Sequence, residues 1–295
     1  TPTSEQPKIV AKAVKAKKHL LLGKPLARTL READEIIDNV RKAGVKAVAL
    51  ASGELDAKPI KELVDQANIG KICAVHFSTY AVPPMSEPGN MDPGWFVDPE
   101  KAAGGGFIDH AIYGASILRY LLDDDIESVY AQIDKYALEE LEVEDYGAAI
   151  MRFKNGTIAF LESTFTAPVE SHDRILVIGD KGEFEFRGDE VIVWNKDEFK
   201  SPCRKKLLGD NPNLSRQCIE TSIPTPPGGD GYRGAADAFI DLLRSDDNGL
   251  KTLQDARTGL EVCLAAYASA ERDMPVKLPI QEEVNVSQIL KNKLA

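Results

Sequence analysis

Residues 102–122, AAGGGFIDHAIYGASILRYLL, pass from three consecutive glycines into a helix that carries an acid and a phenol. Asp109 and Tyr113 are one helical turn apart and therefore share a face, to which Ser116 and Tyr120 also belong. The glycines permit a sharp turn or a close backbone approach that a side chain would prevent. The opposite stripe is apolar and comprises Ile108, Ala111, Ile112, Ala115, Leu118 and Leu122. The pattern predicts a helix with one packed face and one face available for chemistry.

The same stretch also fits an ordinary amphipathic helix behind a flexible loop. In that interpretation Asp109 is only a first-turn acid that interacts with the positive end of the helix dipole. Taken by itself, the stretch leaves the structural and the chemical interpretation open.

Before this helix, short apolar strands alternate with helices. Strands are predicted at 19–22 and 45–50. Helices are predicted at 7–18, before the first strand, and at 57–66, after the second, and a further helix lies between the two strands. That further helix begins at a capping box, Thr29-Leu30-Arg31-Glu32, and ends before Gly44. This alternation is typical of a parallel, doubly wound sheet.

Beyond residue 71 the pattern changes to strands joined by tight turns. Asn155-Gly156 is a strong hairpin signal between two of them. The strands are predicted at 72–80, 126–138, 146–153, 157–166, 173–178, 183–187 and 190–194, with closing helices at 232–244 and 252–272. The sequence therefore predicts an α/β domain over residues 1–75 and an α+β domain over residues 76–295, the latter with a large, open, mostly antiparallel sheet.

Composition excludes some classes of function. The formal net charge is −11, from 47 acidic and 36 basic residues, which argues against a nucleic-acid-binding surface. The longest apolar runs fall far short of the roughly 20 residues that cross a bilayer. The first residues do not have the pattern of a secretion signal. We therefore expect a cytoplasmic protein that binds neither nucleic acid nor membrane.

The cysteines and histidines do not form a metal-binding motif. The chain has four cysteines without a C-x-x-C pair and four histidines without H-E-x-x-H. No metal site is expected.

Four longer stretches carry a family pattern. They are TPTSEQPKIVAKAVKAKKHLLLGKPLARTLREADEI at the start, GWFVDPEKAAGGGFIDHAIYGASILRYLL, DYGAAIMRFKNGTIAFLE, and AFIDLLRSDDNGLKTLQDARTGLEVCLAAYASA. Jointly they resemble the glucose-fructose oxidoreductase, inositol dehydrogenase and MocA family of nicotinamide-dependent enzymes. The resemblance implies a Rossmann-like domain followed by an α+β domain. It also implies a homo-oligomer, because the open sheet of this family commonly makes subunit interfaces.

The resemblance identifies a cofactor-facing turn in the first domain. It implies that Lys24 is the lysine of the family's E-K-P motif, although Gly23 replaces the glutamate. Thr1, Pro2, Gly23, Lys24 and Pro25 are accordingly candidate cofactor-binding residues for NAD or NADP. Lys24 would also stabilise an alkoxide on the substrate, because an ammonium can hydrogen-bond a developing oxyanion.

The resemblance also assigns chemistry to the helix. The usual signature is D-x-x-x-H, whereas this chain has Asp109 followed by Tyr113, as in the glucose-fructose oxidoreductase and dihydrodiol dehydrogenase branches. Tyr113 is then the acid/base and Asp109 orients the substrate, a sugar, a polyol or a related hydroxy or carbonyl compound. A phenol has an ordinary pKa of about 10 and needs a nearby cation to act as a base. Lys24 would supply that cation.

Four further residues are candidate substrate contacts. Trp95 and Asp98 precede the glycines, and Tyr232 and Arg233 open the penultimate helix. The alternatives are a surface-loop aromatic for the first pair and a helix cap for the second.

The phosphate-binding turn of the family is not found in this sequence. G-x-G-x-x-G normally holds the pyrophosphate at a helix N-terminus, and Thr1-Pro2 already corresponds to a later loop of the family. We therefore expect weak NAD(P) binding by this chain alone, and a companion amino-terminal segment in the working enzyme. Two alternatives stay open: a catalytically silent relative that binds a sugar or assembles with copies of itself, and an NAD-linked glycosidase.

Overall fold

Residues 1–66 consist of helices around two parallel strands. The computed structural model describes residues 1–84, 92–167, 171–187, 190–195, 217–219 and 231–294. In chain order the helices are α1 Gln6–Lys15, α2 Leu30–Ala43, α3 Gly53–Gln66, α4 Gly106–Leu122, α5 Gly231–Arg244, α6 Leu250–Arg272 and α7 Val286–Lys293. The strands are β1 Leu20–Leu22, β2 Ala47–Ala49, β3 Ile72–Tyr80, β4 Ile126–Asp134, β5 Tyr146–Phe153, β6 Ile158–Thr164, β7 His172–Gly179, β8 Gly182–Arg187, β9 Glu190–Asn195, β10 Gln217–Ile219 and β11 Val276–Lys277.

Local signals determine where α2 begins and ends. The Thr29 hydroxyl accepts a hydrogen bond from the Glu32 amide at 3.2 Å, and Gly44 closes the helix at φ +65°. The Glu32 carboxylate turns back to the amide and guanidinium of Arg28, one residue before the position that a capping box specifies. The predicted cap is therefore confirmed at Thr29 and Gly44.

Strand β1 pairs in parallel with β2, and among the described residues these two strands form a sheet of their own. Leu20 and Leu22 of β1 are buried, whereas Leu21 is 39% exposed. The parallel pairing confirms the doubly wound pattern read from the alternating elements. The outer edge of β1 has no described strand beside it.

The large sheet has nine strands in the order β10-β9-β8-β7-β3-β6-β5-β4-β11. Strands β3 and β6 at its centre are parallel, and the other neighbours are antiparallel. The predicted hairpin is present between β5 and β6, with Gly156 at φ +90°. The mostly antiparallel sheet is therefore confirmed. Strand Ile72–Tyr80 lies in this sheet along its whole length, and the domain boundary near residue 75 stays a prediction.

Helices α4 and α6 cover one face of the sheet. On the other face Ile150 is 45% exposed and Phe160 is 36% exposed, and the two are cross-strand neighbours. This is the pattern of an antiparallel sheet with one covered face, although apolar side chains occupy the open side as well. None of the described helices is both long enough and apolar enough to span a membrane.

The prediction for the polar face of α4 is wrong for its second half. Ser116 is fully buried and donates to the Ala51 carbonyl at 2.9 Å, and Tyr120 packs against Gly53. A Cβ at Gly53 would collide with the Ser116 carbonyl, so this glycine lets α3 cross α4 closely. Helix α3 thus covers the turn that the sequence pattern left open to solvent.

Other differences lie at element ends. The predicted strand 126–138 stops at Asp134, because the Asp145 carboxylate accepts from the amides of Tyr136, Ala137 and Leu138 and holds them in a turn. The sequence reading missed α7 and β11. Residues 188–189, between two of the predicted strands, lie outside the described residues, as do residues 196–216 and 220–230 before α5.

Candidate active site

Lys24 and Asp109 meet in the structure although they are 85 residues apart in sequence. Lys24 lies in the turn after β1, and Asp109 lies in the first turn of α4. The Lys24 ammonium donates to the Asp109 main-chain carbonyl and, at 2.6 Å, to Oδ1 of the Asp109 carboxylate. The carboxyl end of a parallel strand therefore faces the amino end of a helix, and the ion pair joins them.

This ion pair is largely removed from water. The Lys24 side chain is 14% exposed and the Asp109 side chain 16%. Burial is the largest single influence and raises the pKa of the Asp109 carboxyl, but the charge of Lys24, the charge of His110 and the Lys24 hydrogen bond together hold that pKa below its ordinary value. Asp109 is consequently ionised at neutral pH and keeps Lys24 in place.

Tyr113 lies one turn further along α4, beside the ion pair. Its ring centroid is 5.4 Å from Lys24 Nζ, within the range of a cation–π interaction. The phenol ring, the ammonium and the carboxylate thus form one partly buried cluster, which we call the Lys24–Asp109–Tyr113 cluster. Tyr113 would need a nearby cation to lose its phenolic proton and act as a base, and the Lys24 ammonium lies close to its ring.

His110 belongs to the same place and was not singled out by the sequence reading. Its Nδ1 lies 3.2 Å from Asp109 Oδ2, the carboxylate oxygen that Lys24 does not hold. Burial is the main influence and lowers the pKa of His110. The negative charges of Asp109 and Asp173 raise this pKa and the positive charge of Lys24 lowers it, and the net effect is a lowered pKa. The imidazole is therefore neutral at pH 7. The signal that would have found it is its position beside Asp109 and three residues before Tyr113.

The candidate cofactor-binding residues form two segments, Thr1-Pro2 and Gly23-Lys24-Pro25. Gly23 and Pro25 flank Lys24, and the Lys24–Pro25 peptide bond is cis. The Gln6 side-chain amide donates to the Pro25 carbonyl at 2.7 Å, which ties the first helix to the lysine turn. Thr1 and Pro2 lead into the short 3₁₀ helix that precedes Gln6.

The candidate substrate residues are less clearly grouped. Trp95 stacks on Phe96 with ring centroids 3.9 Å apart. The Asp98 carboxylate pairs with Lys101 at 2.6 Å, and that hydrogen bond lowers the pKa of Asp98. Tyr232 and Arg233 lie in the first turn of α5, but their side chains are outside the described residues. Within the described ranges, no group of three histidine, cysteine or acidic side chains could hold a metal ion.

Together these contacts give the site a definite chemistry. An ammonium held by a buried carboxylate can donate to an oxygen that gains negative charge. A phenol next to that ammonium can exchange a proton with the same oxygen. The arrangement suits the interconversion of an alcohol and a carbonyl, a reaction whose hydride must be carried by a cofactor.

Comparison with known families covers both parts of the chain. Residues 1–51 match a family model described as an oxidoreductase family with an NAD-binding Rossmann fold. Residues 58–185 match a second model, described as the GFO/IDH/MocA C-terminal domain.

Individual relatives are distant. The chain is 28% identical over 187 residues to a myo-inositol 2-dehydrogenase of Thermotoga maritima, a match that covers 61% of this chain and 52% of that protein. It is 31% identical over 157 residues to a 1,5-anhydro-D-fructose reductase of Ensifer adhaerens, which covers 52% of this chain and 45% of the relative. These matches span about half the length of the two curated relatives.

Solved structures agree in fold. The structure of a levoglucosan dehydrogenase in complex with NADH and levoglucosan matches with a TM-score of 0.76. The match covers 95% of this chain and 79% of that chain at 20% sequence identity. At this level of identity the likeness establishes the architecture alone.

Proposed function

Because the chain belongs to the GFO/IDH/MocA family of NAD-binding sugar and polyol dehydrogenases, we propose that it acts as a nicotinamide-dependent oxidoreductase on a sugar, a polyol or a related hydroxy or carbonyl compound. The observation that carries the proposal is the buried Lys24–Asp109 ion pair beside Tyr113. Several relatives and neighbours are named as dehydrogenases or reductases of inositol, anhydrofructose and levoglucosan, which supports this substrate class.

Each residue of the cluster has a proposed part in the reaction. An ammonium has three donors, and two of those of Lys24 go to Asp109, so that the third serves the substrate oxygen. Tyr113 exchanges the proton of that oxygen. Asp109 has an indirect part: its Oδ1 holds the Lys24 ammonium in place and does not accept a hydrogen bond from the substrate. Nicotinamide, when bound, supplies the hydride acceptor or donor.

The residues present fit only one end of such a cofactor. The turn Gly23-Lys24-Pro25 follows a parallel strand, where α/β sheets place their ligands, and Gln6 ties the Thr1-Pro2 segment to it. The glycine turn for the pyrophosphate is not in this sequence. We propose that residues outside this sequence supply it, and that they add strands to the outer edge of β1.

The outer edge of β1 supports this part of the proposal. Parallel sheets are normally buried on both faces, and a two-stranded sheet is marginal by itself. Leu21 on β1 is 39% exposed and Ile9 on α1 is 47% exposed, so apolar side chains of this part of the chain remain open to solvent. Additional parallel strands would cover the outer edge of β1.

A titration of NADH fluorescence tests the proposed function. For residues 1–295 by themselves we expect a Kd of about 1 mM or weaker, and for the protein with the phosphate-binding turn a Kd of ~10 μM, a difference of ~3 kcal/mol. Mass spectrometry of the native protein determines whether the turn belongs to the same polypeptide or to a separate one. Tight binding without sugar or polyol turnover would favour the silent relative, and release of a sugar from a glycoside would favour the NAD-linked glycosidase.

We also propose that the open face of the large sheet joins copies of this chain. Ile150, Phe160, His76 and Leu176 lie in one row across four adjacent strands. Phe160 stacks on His76 with centroids 4.3 Å apart. An apolar row on an uncovered sheet is a common protein contact surface.

Ile150→Arg tests the interface. Placing a charge at one end of the row is expected to weaken association by about 100-fold, because the charge would lose its hydration there. Sedimentation at micromolar concentration should show an oligomer for the wild type and a monomer for the variant. The control Met274→Arg alters a similarly exposed apolar side chain, which lies between α6 and β11 and outside the row, and should leave the oligomer intact. A monomeric wild type would contradict the interface.

A further inference from the structure

A buried carboxylate holds the first turn of α4. Glu144, just before β5, is fully buried. Its Oε1 accepts hydrogen bonds from the Gly105 amide at 2.8 Å, the Phe107 amide at 3.2 Å and the Tyr267 hydroxyl at 2.5 Å. Its main-chain carbonyl accepts from the Gly106 amide at 2.8 Å. Three successive residues at the helix start are therefore bonded to one glutamate, an arrangement we call the Glu144 clasp.

The glycine run is shaped to fit this clasp. Gly104 has φ +148°, and a Cβ there would collide with the Tyr267 hydroxyl. A Cβ at Gly105 would collide with the Glu144 carbonyl. Residues with side chains at these positions would push α4 away from Glu144 and Tyr267. The three glycines therefore serve a close backbone approach rather than a flexible loop.

The clasp leads directly to the candidate active site. Asp109 lies three residues after Gly106, and its amide donates to the Gly105 carbonyl at 3.1 Å. Lys24 is held by both the carbonyl and the carboxylate of Asp109. A shift of the first turn of α4 would move both acceptors of the ammonium together. Catalytic groups must be held to within about 0.5 Å, so such a shift would impair the reaction.

The clasp also contains an orphaned polar atom. All three donors go to Oε1, and Glu144 Oε2 is buried without a hydrogen-bond partner among the described residues. The groups that face the carboxyl are the Tyr267 hydroxyl from α6 and the amides of Gly105 and Phe107 from α4. Burial raises the pKa of Glu144 to about 7, and the hydrogen bonds of Tyr267 and the amides oppose it only in part. Burial also raises the pKa of Tyr267.

We infer that Glu144 is a positioning residue that fixes Asp109, and through Asp109 the Lys24 ammonium, by clasping the first turn of α4. The inference rests on the proposed oxidoreductase function for its effect on turnover, but the clasp itself is a property of the fold. It adds Glu144 and Tyr267 to the residues on which the site depends. Neither touches the cluster directly.

Hydrogen exchange tests the clasp in the chain as it exists. Opening of the first turn hydrates Glu144 and returns its pKa to the ordinary value of 4.5, so an ionised carboxylate favours opening. The protonated Glu144 carboxyl therefore stabilises the closed first turn, and this stabilisation is lost as pH rises through the folded pKa of about 7. From these two pKa values, the protection of residues 104–108, corrected for intrinsic exchange, should fall about tenfold between pH 6 and pH 8.

Two variants make the result decisive. Glu144→Gln keeps an acceptor oxygen but cannot ionise, and should abolish the pH dependence. Tyr267→Phe removes one donor, and should increase acylation of Lys24 several-fold in amine-reactive footprinting. Glu127→Gln and Tyr130→Phe are the matched surface controls and should change neither readout. A protection that is independent of pH in the wild type, or unchanged Lys24 reactivity in Tyr267→Phe, would overturn the inference.

Turnover separates this inference from the proposed function. In the cofactor-loaded protein, Tyr267→Phe should lower kcat about tenfold with KM within threefold, because geometry rather than binding is lost. If that protein oxidises no sugar or polyol, the proposed function fails, while exchange and footprinting still decide on the clasp.

Discussion

Replacement of Lys24 by methionine is expected to lower kcat by about 10³ and to destabilise the fold by about 3 kcal/mol at pH 7. The first effect follows from loss of the donor to the substrate oxygen. The second follows because the Asp109 side chain is only 16% exposed and would stay buried without its cation. Breaking a buried pair costs more than the pair contributes, since a lone charge remains. Steady-state kinetics and urea unfolding measure the two effects.

The pH dependence of unfolding identifies the cause. In the wild type the pKa of Asp109 is lowered, so its contribution to stability is present above the unfolded pKa of about 3.9 and is lost as pH falls through the folded value. Without Lys24, burial raises that pKa, and the carboxyl can neutralise itself in mild acid. The stability difference between variant and wild type should therefore shrink between pH 7 and pH 4.5.

A surface pair gives the control. Lys251 pairs with Glu54 at 2.7 Å, but the side chains are 78% and 48% exposed. Lys251→Met should cost no more than about 1 kcal/mol and leave kcat unchanged. Equal losses of stability in the two variants would mean that the Lys24–Asp109 pair is not protected from solvent.

Short-range features of this chain could be predicted from sequence because their causes are local. Thr29 and Gly44 bound α2 through bonds that span three or four residues. Asn155-Gly156 makes a hairpin because glycine accepts a positive φ. The polar face of α4 was misread, since burial of Ser116 depends on α3, which arrives from elsewhere in the chain.

The same distinction between local and long-range causes applies to the candidate site. The meeting of Lys24 and Asp109 was expected only through a family resemblance, because no local pattern links a turn after β1 to a helix 85 residues later. Glu144 and Tyr267 are 123 residues apart, and neither sequence neighbourhood marks a buried acid. Their partnership depends on α6 packing against α4, a tertiary contact that periodicity does not encode.

Replacement of Tyr113 by phenylalanine is expected to reduce kcat by more than 100-fold in the cofactor-loaded protein. The variant removes the phenolic oxygen and keeps the ring, so the cation–π contact of Lys24 at 5.4 Å is retained. General acid–base catalysis contributes roughly 10²–10⁴-fold, which is the size of the expected loss. KM should stay within threefold. Steady-state kinetics from pH 6 to pH 10 is the measurement.

His110 is the competing proton carrier, and a second variant distinguishes the two. The His110 ring approaches Asp109 Oδ2 and lies 6.4 Å from the Tyr113 ring, so it is placed to act on the carboxylate. His110→Gln should lower kcat less than tenfold, and Tyr130→Phe should leave it unchanged. Wild-type turnover in Tyr113→Phe together with a large loss in His110→Gln would transfer the acid/base role to the imidazole. The ratio of the two kcat losses therefore compares the phenol and the imidazole as proton carriers.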